Sequence, residues 1–321
     1  MSAMIIKKDK TVHSLGQFLA AVKKTVARNG KTTQYRFTGI KDSNFNLIPS
    51  LYCKTDYLPF NHDVERQIVY GATYQYPNLF DAEHPVSMRN LALLRHYGVP
   101  VRLMDTTTNP LVALWMACTA NDDDTTKSHA SNAAVCILKF DFNNNEIFDW
   151  NNPYFDEILR LGFEPNGLSE KEFRGKFPHL AEFVRFFGGF AEKTAWDRLG
   201  TPKLVLSPYF TERQKAQSGQ FVFFPPHFNL CDNNTRIVFS EHCATGANGQ
   251  GTTGITYSPS RTIANYNKQL ESNVVKKLLI PRKEAKIIIE DLRQVAGVSQ
   301  VSLFPENIDS GVNDLIRRLT P

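Results

Sequence analysis

Apolar positions along the chain follow two periods, and the switches between them mark out its elements. From Ser14 they recur at Leu15, Phe18, Leu19, Val22 and Val26, a helical stripe that Ser14-Leu15-Gly16-Gln17 opens as a capping box and Asn29-Gly30 ends. Gln34 to Gly39 is short and β-prone and predicts a strand, followed by a turn at Lys41 to Asn44. Leu47-Ile48-Pro49-Ser50-Leu51 predicts an extended segment, because a residue before proline avoids helical backbone. A second stripe runs through Val64, Ile68, Val69, Ala72 and Tyr76, with Glu65 near its start. A third passes Leu91, Leu94 and Tyr97 and is stopped by Gly98 and Pro100.

The stretch after that stop is the organising one. Val101 to Met104 predicts a short strand, Asp105-Thr106-Thr107-Thr108 a polar elbow, and Pro110 the first turn of an apolar helix capped by Asn109 or Thr108. Ala113 and Ala117, four residues apart, let that helix approach its neighbours closely. A polar loop over 121–132 precedes a buried strand, Ala133 to Phe140. The order of elements over 143–200 is not readable, and Phe177, Phe186 and Phe190 are expected in a core rather than on a binding surface. Leu204 to Leu206, Gln220 to Phe224 and Leu278 to Pro281 predict strands. Gly246 to Gly254 predicts a flexible loop, since it lacks the Gly-Lys-Ser/Thr ending of a phosphate-binding loop. An amphipathic helix through Ala285, Ile288, Ile289, Leu292 and Val295 stops at Gly297, and a last helix runs through Leu315 and Leu319. Strands and helices interleave without a regular βαβ beat, so the expected class is α+β, a mixed or antiparallel central sheet with flanking helices. Residues 1–30 are expected to form a helical extension and 31–321 one domain.

Composition narrows the setting. With 321 residues, 42% hydrophobic and 21% charged, the chain can bury a large core. No apolar run approaches the roughly 18 residues of a membrane span, and Met4-Ile5-Ile6 runs straight into Lys7-Lys8-Asp9-Lys10 rather than a signal-peptide core. Five scattered cysteines without Cys-x-x-Cys, and eight histidines without His-x-x-x-His, point to a cytoplasmic protein without metal. A net charge of +5 permits a polyanionic partner without demanding one. The strand, elbow and helix N-terminus suit an anion or a nucleotide, while Asp105 and the threonines could equally serve as caps.

Several motifs together resemble the FRG-domain family. Tyr35-Arg36 matches its (Phe/Tyr)-Arg-Gly motif, with Phe37 in the glycine position and Gly39 two residues on, so a different turn is expected after Arg36. Leu47-Ile48-Pro49-Ser50-Leu51 and Glu65 match the elements that follow. His96-Tyr97-Gly98-Val99-Pro100-Val101-Arg102-Leu103-Met104-Asp105 is similar to the signature His-Tyr-Gly-x-Pro-Thr-Arg-Leu-Leu-Asp, and Asn109 to Leu114 continue it. Val101 replaces the usual threonine, and Thr107 a common tryptophan. Arg213, Gln217, Gly219 and Phe221 resemble a later motif, and Ile280-Pro281 with Leu303-Phe304-Pro305 the closing ones.

The order of Arg36, the threonine elbow and the Gln217-to-Gln220 segment is also similar to ADP-ribosyltransferases. That similarity implies a split sheet, NAD as substrate, and a toxin or phage-defence effector that transfers ADP-ribose to a macromolecule. Nucleic acid, RNA or DNA, is the favoured acceptor, and an antitoxin or inhibitor protein a further partner. It assigns catalysis to Asp105, Gln217 and Arg36, and cofactor binding to Arg36, His96, Tyr97, Arg102, Thr106, Thr108, Asn109 and Arg213. The late strand carries amides only, so Asp105 has to supply the carboxylate, or the fold binds without catalysing. The alternatives are a non-catalytic nucleotide- or protein-binding module and a nucleic-acid hydrolase. Gln217 could also simply stabilise a turn.

Overall fold

The computed structural model describes residues 9–26, 32–53, 61–119, 131–144, 146–164, 168–226, 228–231, 236–239, 268 and 270–305. Its strands are β1 (Lys10–Thr11), β2 (Thr33–Ile40), β3 (Leu103–Thr107), β4 (Ala133–Asp141), β5 (Ile147–Asp149), β6 (Leu168–Ser169), β7 (Lys203–Leu206), β8 (Gly219–Phe223), β9 (Phe228–Cys231), β10 (Arg236–Phe239) and β11 (Val274–Ile280). The helices are α1 (Leu15–Val26), α2 (Ser50–Cys53), α3 (Asn61–Gln75), α4 (Met88–His96), α5 (Pro110–Cys118), α6 (Pro153–Leu161), α7 (Glu170–Lys176), α8 (Pro178–Phe186) and α9 (Lys193–Leu199). The short α10 (Glu212–Ala216), the long α11 (Arg282–Ala296) and the single turn α12 (Gln300–Leu303) follow.

Eight strands form one sheet in the order β1-β11-β4-β2-β3-β8-β7-β5, and β6-β10-β9 a smaller one. The large sheet is mixed, since β1 with β11 and β5 with β7 run parallel and the other neighbours antiparallel. This is the expected α+β arrangement. The sheet is weakest in the middle. Where β2 pairs with β4 over eight residues, it pairs with β3 through Phe37–Thr107 alone.

Alternation along the strands divides the core. On one face, Phe37, Val135, Ile137, Leu278 and Ile280 pack under α1, α5 and α11. Leu103, Val205, Phe221 and Phe223 on the same face pack under α4 and α6 to α9. The opposite face carries Met104, Cys136, Leu138, Phe140, Leu204 and Val222, covered by Leu47, Leu51 and Tyr52. The N-terminal segment belongs to this core, for β1 joins the sheet and Phe18 and Val22 of α1 are buried.

Several sequence expectations shift. The strand after Pro100 starts at Leu103 and continues through Asp105, Thr106 and Thr107, leaving Thr108 alone as the elbow. β2 runs unbroken to Ile40, with no turn after Arg36. The extended run from Leu47 ends at Pro49, and Ser50 begins a helical turn. Phe177 and Phe190 are buried, but Phe186 is exposed, as is Val295 beside the buried stripe of α11. The expected loop over 121–132, for all but its last two residues, together with Gly246 to Gly254, Leu315 and Leu319, lies outside the described residues.

One buried charge gives a prediction. The Lys203 side chain is enclosed, and its Nζ donates to the Arg198 carbonyl at 2.8 Å and Thr201 Oγ1 at 2.7 Å, closing the end of α9. Burial pushes its pKa down from 10.5 to about 7, against an opposing pull from Glu146. The unfolded chain therefore holds a proton that the folded one lacks between those values, and stability rises with pH across that window. The gain from pH 7 to pH 10 is on the order of 4 kcal/mol, and Lys203→Met removes the slope in urea titrations at stepped pH.

Candidate functional site

The pleat of β3 sorts its polar residues. Asp105 and Thr107 point to the face of Phe37, and Thr106 to the face of Arg36. Register puts Thr106 opposite Gln220 and Thr107 opposite Gly219. The threonine hydroxyls fasten this corner to the turn before β8: Thr106 Oγ1 donates to the Gln220 carbonyl at 3.0 Å, and Thr107 Oγ1 to the Gln217 carbonyl at 2.6 Å. Thr107 Oγ1 also accepts from the Asn109 N–H at 3.0 Å, and the Thr108 N–H reaches the Ser218 carbonyl at 3.1 Å. Ser218 holds φ of 48°, a left-handed conformation in the turn between Gln217, the cap of α10, and β8. Asn109 is the cap of α5, its Oδ1 accepting from the Leu111 N–H at 2.9 Å.

Beside this corner lies an open cleft of about 1260 Å³. α4 contributes Arg95 and His96; β2 and β3 contribute Thr38, Gly39, Asp105, Thr106 and Thr107; α5 contributes Trp115 and Met116. The far wall is Arg213, Gln217 and Gln220 with Lys286, Glu290 and Arg293 of α11 and Phe304 after α12. Lys41, Arg95, Arg213, Lys286 and Arg293 face Asp105 and Glu290, so the lining is cationic. Arg293 Nη2 lies 2.6 Å from Glu290, and with Gln294 it holds that carboxyl below the usual range.

Asp105 is a half-exposed carboxylate of the cleft, gripped by Arg95 through Nε at 2.9 Å and Nη2 at 2.6 Å. Arg95 Nη1 donates in turn to Ser50 Oγ at 3.0 Å. Gln217 lines the cleft too, and its Nε2 donates to the Leu303 carbonyl at 3.1 Å.

Other expected site residues fall elsewhere. Arg102 is fully buried, paired with Glu65 and lying over the Phe163 ring at 5.2 Å, so its guanidinium sits in the core and does not line the cleft. Tyr97 is exposed against His96, ring centroids 5.0 Å apart, and like Thr108 and Asn109 it does not line the cleft. Arg36 does not line it either. It sits one pleat from Thr38, which does, on the face opposite Asp105. The cleft reaches both faces because β2 and β3 part beyond their single pair, with Thr38 Oγ1 donating across the gap to the Asp105 carbonyl at 3.2 Å.

Arg36 is only 5% exposed. Nη1 donates to the Tyr35 carbonyl at 2.7 Å and to Gln34 Oε1 at 3.2 Å, while Nε has no hydrogen-bond partner among the described residues. Burial lowers its pKa to about 10, partly offset by Tyr209, so it stays charged at neutral pH. Arg36, Thr106 and Gln220 thus share a face on three adjacent strands.

Residues 33–126 match the FRG domain. The FRG match takes in Arg36, the close packing of β2 on α5, Arg95 and Asp105; Arg213, Gln217, α11 and Phe304 lie beyond it. No curated protein and no solved structure matches the chain significantly. Among the described residues no cluster of three or more His, Cys, Asp or Glu could hold a metal, and no helix is long and apolar enough to cross a membrane. The wall that sequence reading missed is on α11. Its signal was the 286, 289, 290, 293 spacing, which puts Lys286 and Arg293 on the cleft side of the buried stripe Ala285, Ile288 and Leu292.

Proposed function

We propose that the cleft binds NAD and that the protein transfers its ADP-ribose to a macromolecule, with nucleic acid the favoured acceptor. The observation that carries this reading is Arg36: a nine-tenths-buried cation with no carboxylate partner among the described residues, one pleat from the cleft. A buried charge left unpaired is costly, and an anionic ligand is the economical way to compensate it. Three adjacent strands carrying Arg36, Thr106 and the Gln217–Gln220 turn, and the seam between β2 and β3, support an ADP-ribosyltransferase-like split sheet. The cleft exceeds the about 300–1,000 Å³ of ordinary small-molecule pockets and has room for a dinucleotide.

In the proposed reaction the nicotinamide–ribose bond breaks, nicotinamide leaves with the bonding pair, and an acceptor oxygen or nitrogen bonds to ribose C1 and releases a proton. The oxocarbenium character at C1 needs a nearby anion, and Asp105 is the cleft carboxylate beside Thr106 and Gln217. Lys286 and Arg293 would meet the pyrophosphate. The test is incubation with labelled NAD and total cellular RNA, DNA and protein. Label transfer should fall by about 10² or more in Asp105→Ala and in Arg36→Ala.

A second reading has its own support. Asp105 is tied to Arg95, and Gln217 to the Leu303 carbonyl, so two of the three candidate catalytic groups already have partners. The FRG-like chain would then be a nucleotide-binding module. Saturable NAD binding without release of nicotinamide favours it; nucleic-acid cleavage that depends on added divalent metal would reject both readings.

A further inference from the structure

Beyond the polar corner, the cleft holds an aromatic–cation ladder that joins residues of separate motifs. Trp115 of α5 and Phe304 lie with ring centroids 5.7 Å apart, and the Arg213 guanidinium sits over the Phe304 ring at 4.6 Å. All three line the cleft. The turn α12 holds them in place: Leu303 is buried, the Phe304 N–H closes on the Gln300 carbonyl at 2.9 Å, and Gln217 Nε2 binds the Leu303 carbonyl. Phe304 itself stays only partly buried, an aromatic ring on the wall that carries Arg213, Lys286 and Arg293.

We infer that this ladder seats the purine base of a nucleotide, with Phe304 and Arg213 as its stacking surface. The inference rests on the reading of the cleft as a nucleotide site and adds which wall takes the base. A guanidinium plane backed by a phenyl ring presents a flat, weakly hydrated face, and such faces stack on nucleobases. A purine laid there leaves its phosphates near Lys286 and Arg293, the other cations of this wall. The base would then be chosen by shape and stacking, and the phosphates by charge.

Equilibrium titrations of the full chain with AMP and with inorganic pyrophosphate test the assignment. Phe304→Leu should weaken AMP binding about five- to tenfold and leave pyrophosphate binding within twofold, and Phe304→Tyr should restore AMP binding. Arg213→Lys keeps the charge and loses the plane, and should weaken AMP while sparing pyrophosphate. Unchanged AMP affinity in Phe304→Leu overturns the ladder alone. So does an equal loss for both probes, which would report a collapsed wall. A wild-type chain that binds neither probe overturns the nucleotide reading, and the ladder with it.

Discussion

Glu65→Gln is expected to destabilise the fold by about 3–5 kcal/mol, as breaking a buried ion pair from one side does. Neither partner touches water: Glu65 and Arg102 both have fully buried side chains. One carboxylate oxygen pairs with Arg102 Nε, and the other accepts the Arg102 backbone N–H at 2.8 Å, so Glu65 fixes the start of β3 as well as the cation. An amide in its place removes the carboxylate charge that faces the buried Arg102 guanidinium. The urea midpoint should drop with an unchanged slope. Pairing Glu65→Gln with Arg102→Met should recover much of the loss, since replacing both charges removes the desolvation cost along with the attraction. A single variant within about 1 kcal/mol of wild type would show that water reaches the pair.

That ion pair also marks how far the sequence could be read. Glu65 and Arg102 stand out as charged residues in apolar surroundings, 37 residues apart. Nothing in their spacing shows that they meet, and Arg102 by itself reads as easily for a phosphate ligand. Periodicity located α1, α4, α5, α11, β4 and β8, because each carries an uninterrupted stripe or run. It misplaced β3 because Asp105, Thr106 and Thr107 are polar, and polar residues in a strand mimic a turn when the strand lines a cleft rather than a core. The order of elements over 143–200 was unreadable for another reason. α6 to α9 are only 7 to 9 residues each and follow one another closely, so no stripe repeats long enough to mark where one ends and the next begins. Half of the candidate cleft comes from α10 to Phe304, more than 100 residues after Asp105. Only the folded chain joins those two walls.

Gly39→Ala is expected to be nearly as damaging, for a reason the motif comparison alone misstates. Phe37 stands where the (Phe/Tyr)-Arg-Gly motif has its glycine, yet its ring is buried beneath α1, α5 and α11, and β2 needs no turn there. The close approach happens at Gly39. A Cβ at that residue would lie 2.1 Å from the Ala113 carbonyl oxygen and 2.7 Å from the Ala117 nitrogen, both helix backbone that has no rotamer to change. The small residues at 113 and 117 meet their counterpart at this point, and α5 has to move away from β2 to admit one methyl group. Overpacking of this kind costs about 1–3 kcal/mol where side chains give way; with backbone on the other side the expected loss is about 3 kcal/mol or more. Gly16 supplies the control, being a helical glycine with nothing within 4 Å of its Cβ position. Gly16→Ala should stabilise by about 0.5 kcal/mol, through helix propensity and a less mobile unfolded chain. The two substitutions should therefore shift the melting temperature in opposite directions. Gly39→Ala should carry a functional penalty besides, because displacing α5 moves the Asn109 cap and the Thr107 hydroxyl that ties β3 to the Gln217 turn. Weakened AMP binding in a Gly39→Ala chain held well below its lowered melting point would connect the two effects. Binding that survives intact there would mean that α5 can shift without disturbing the corner.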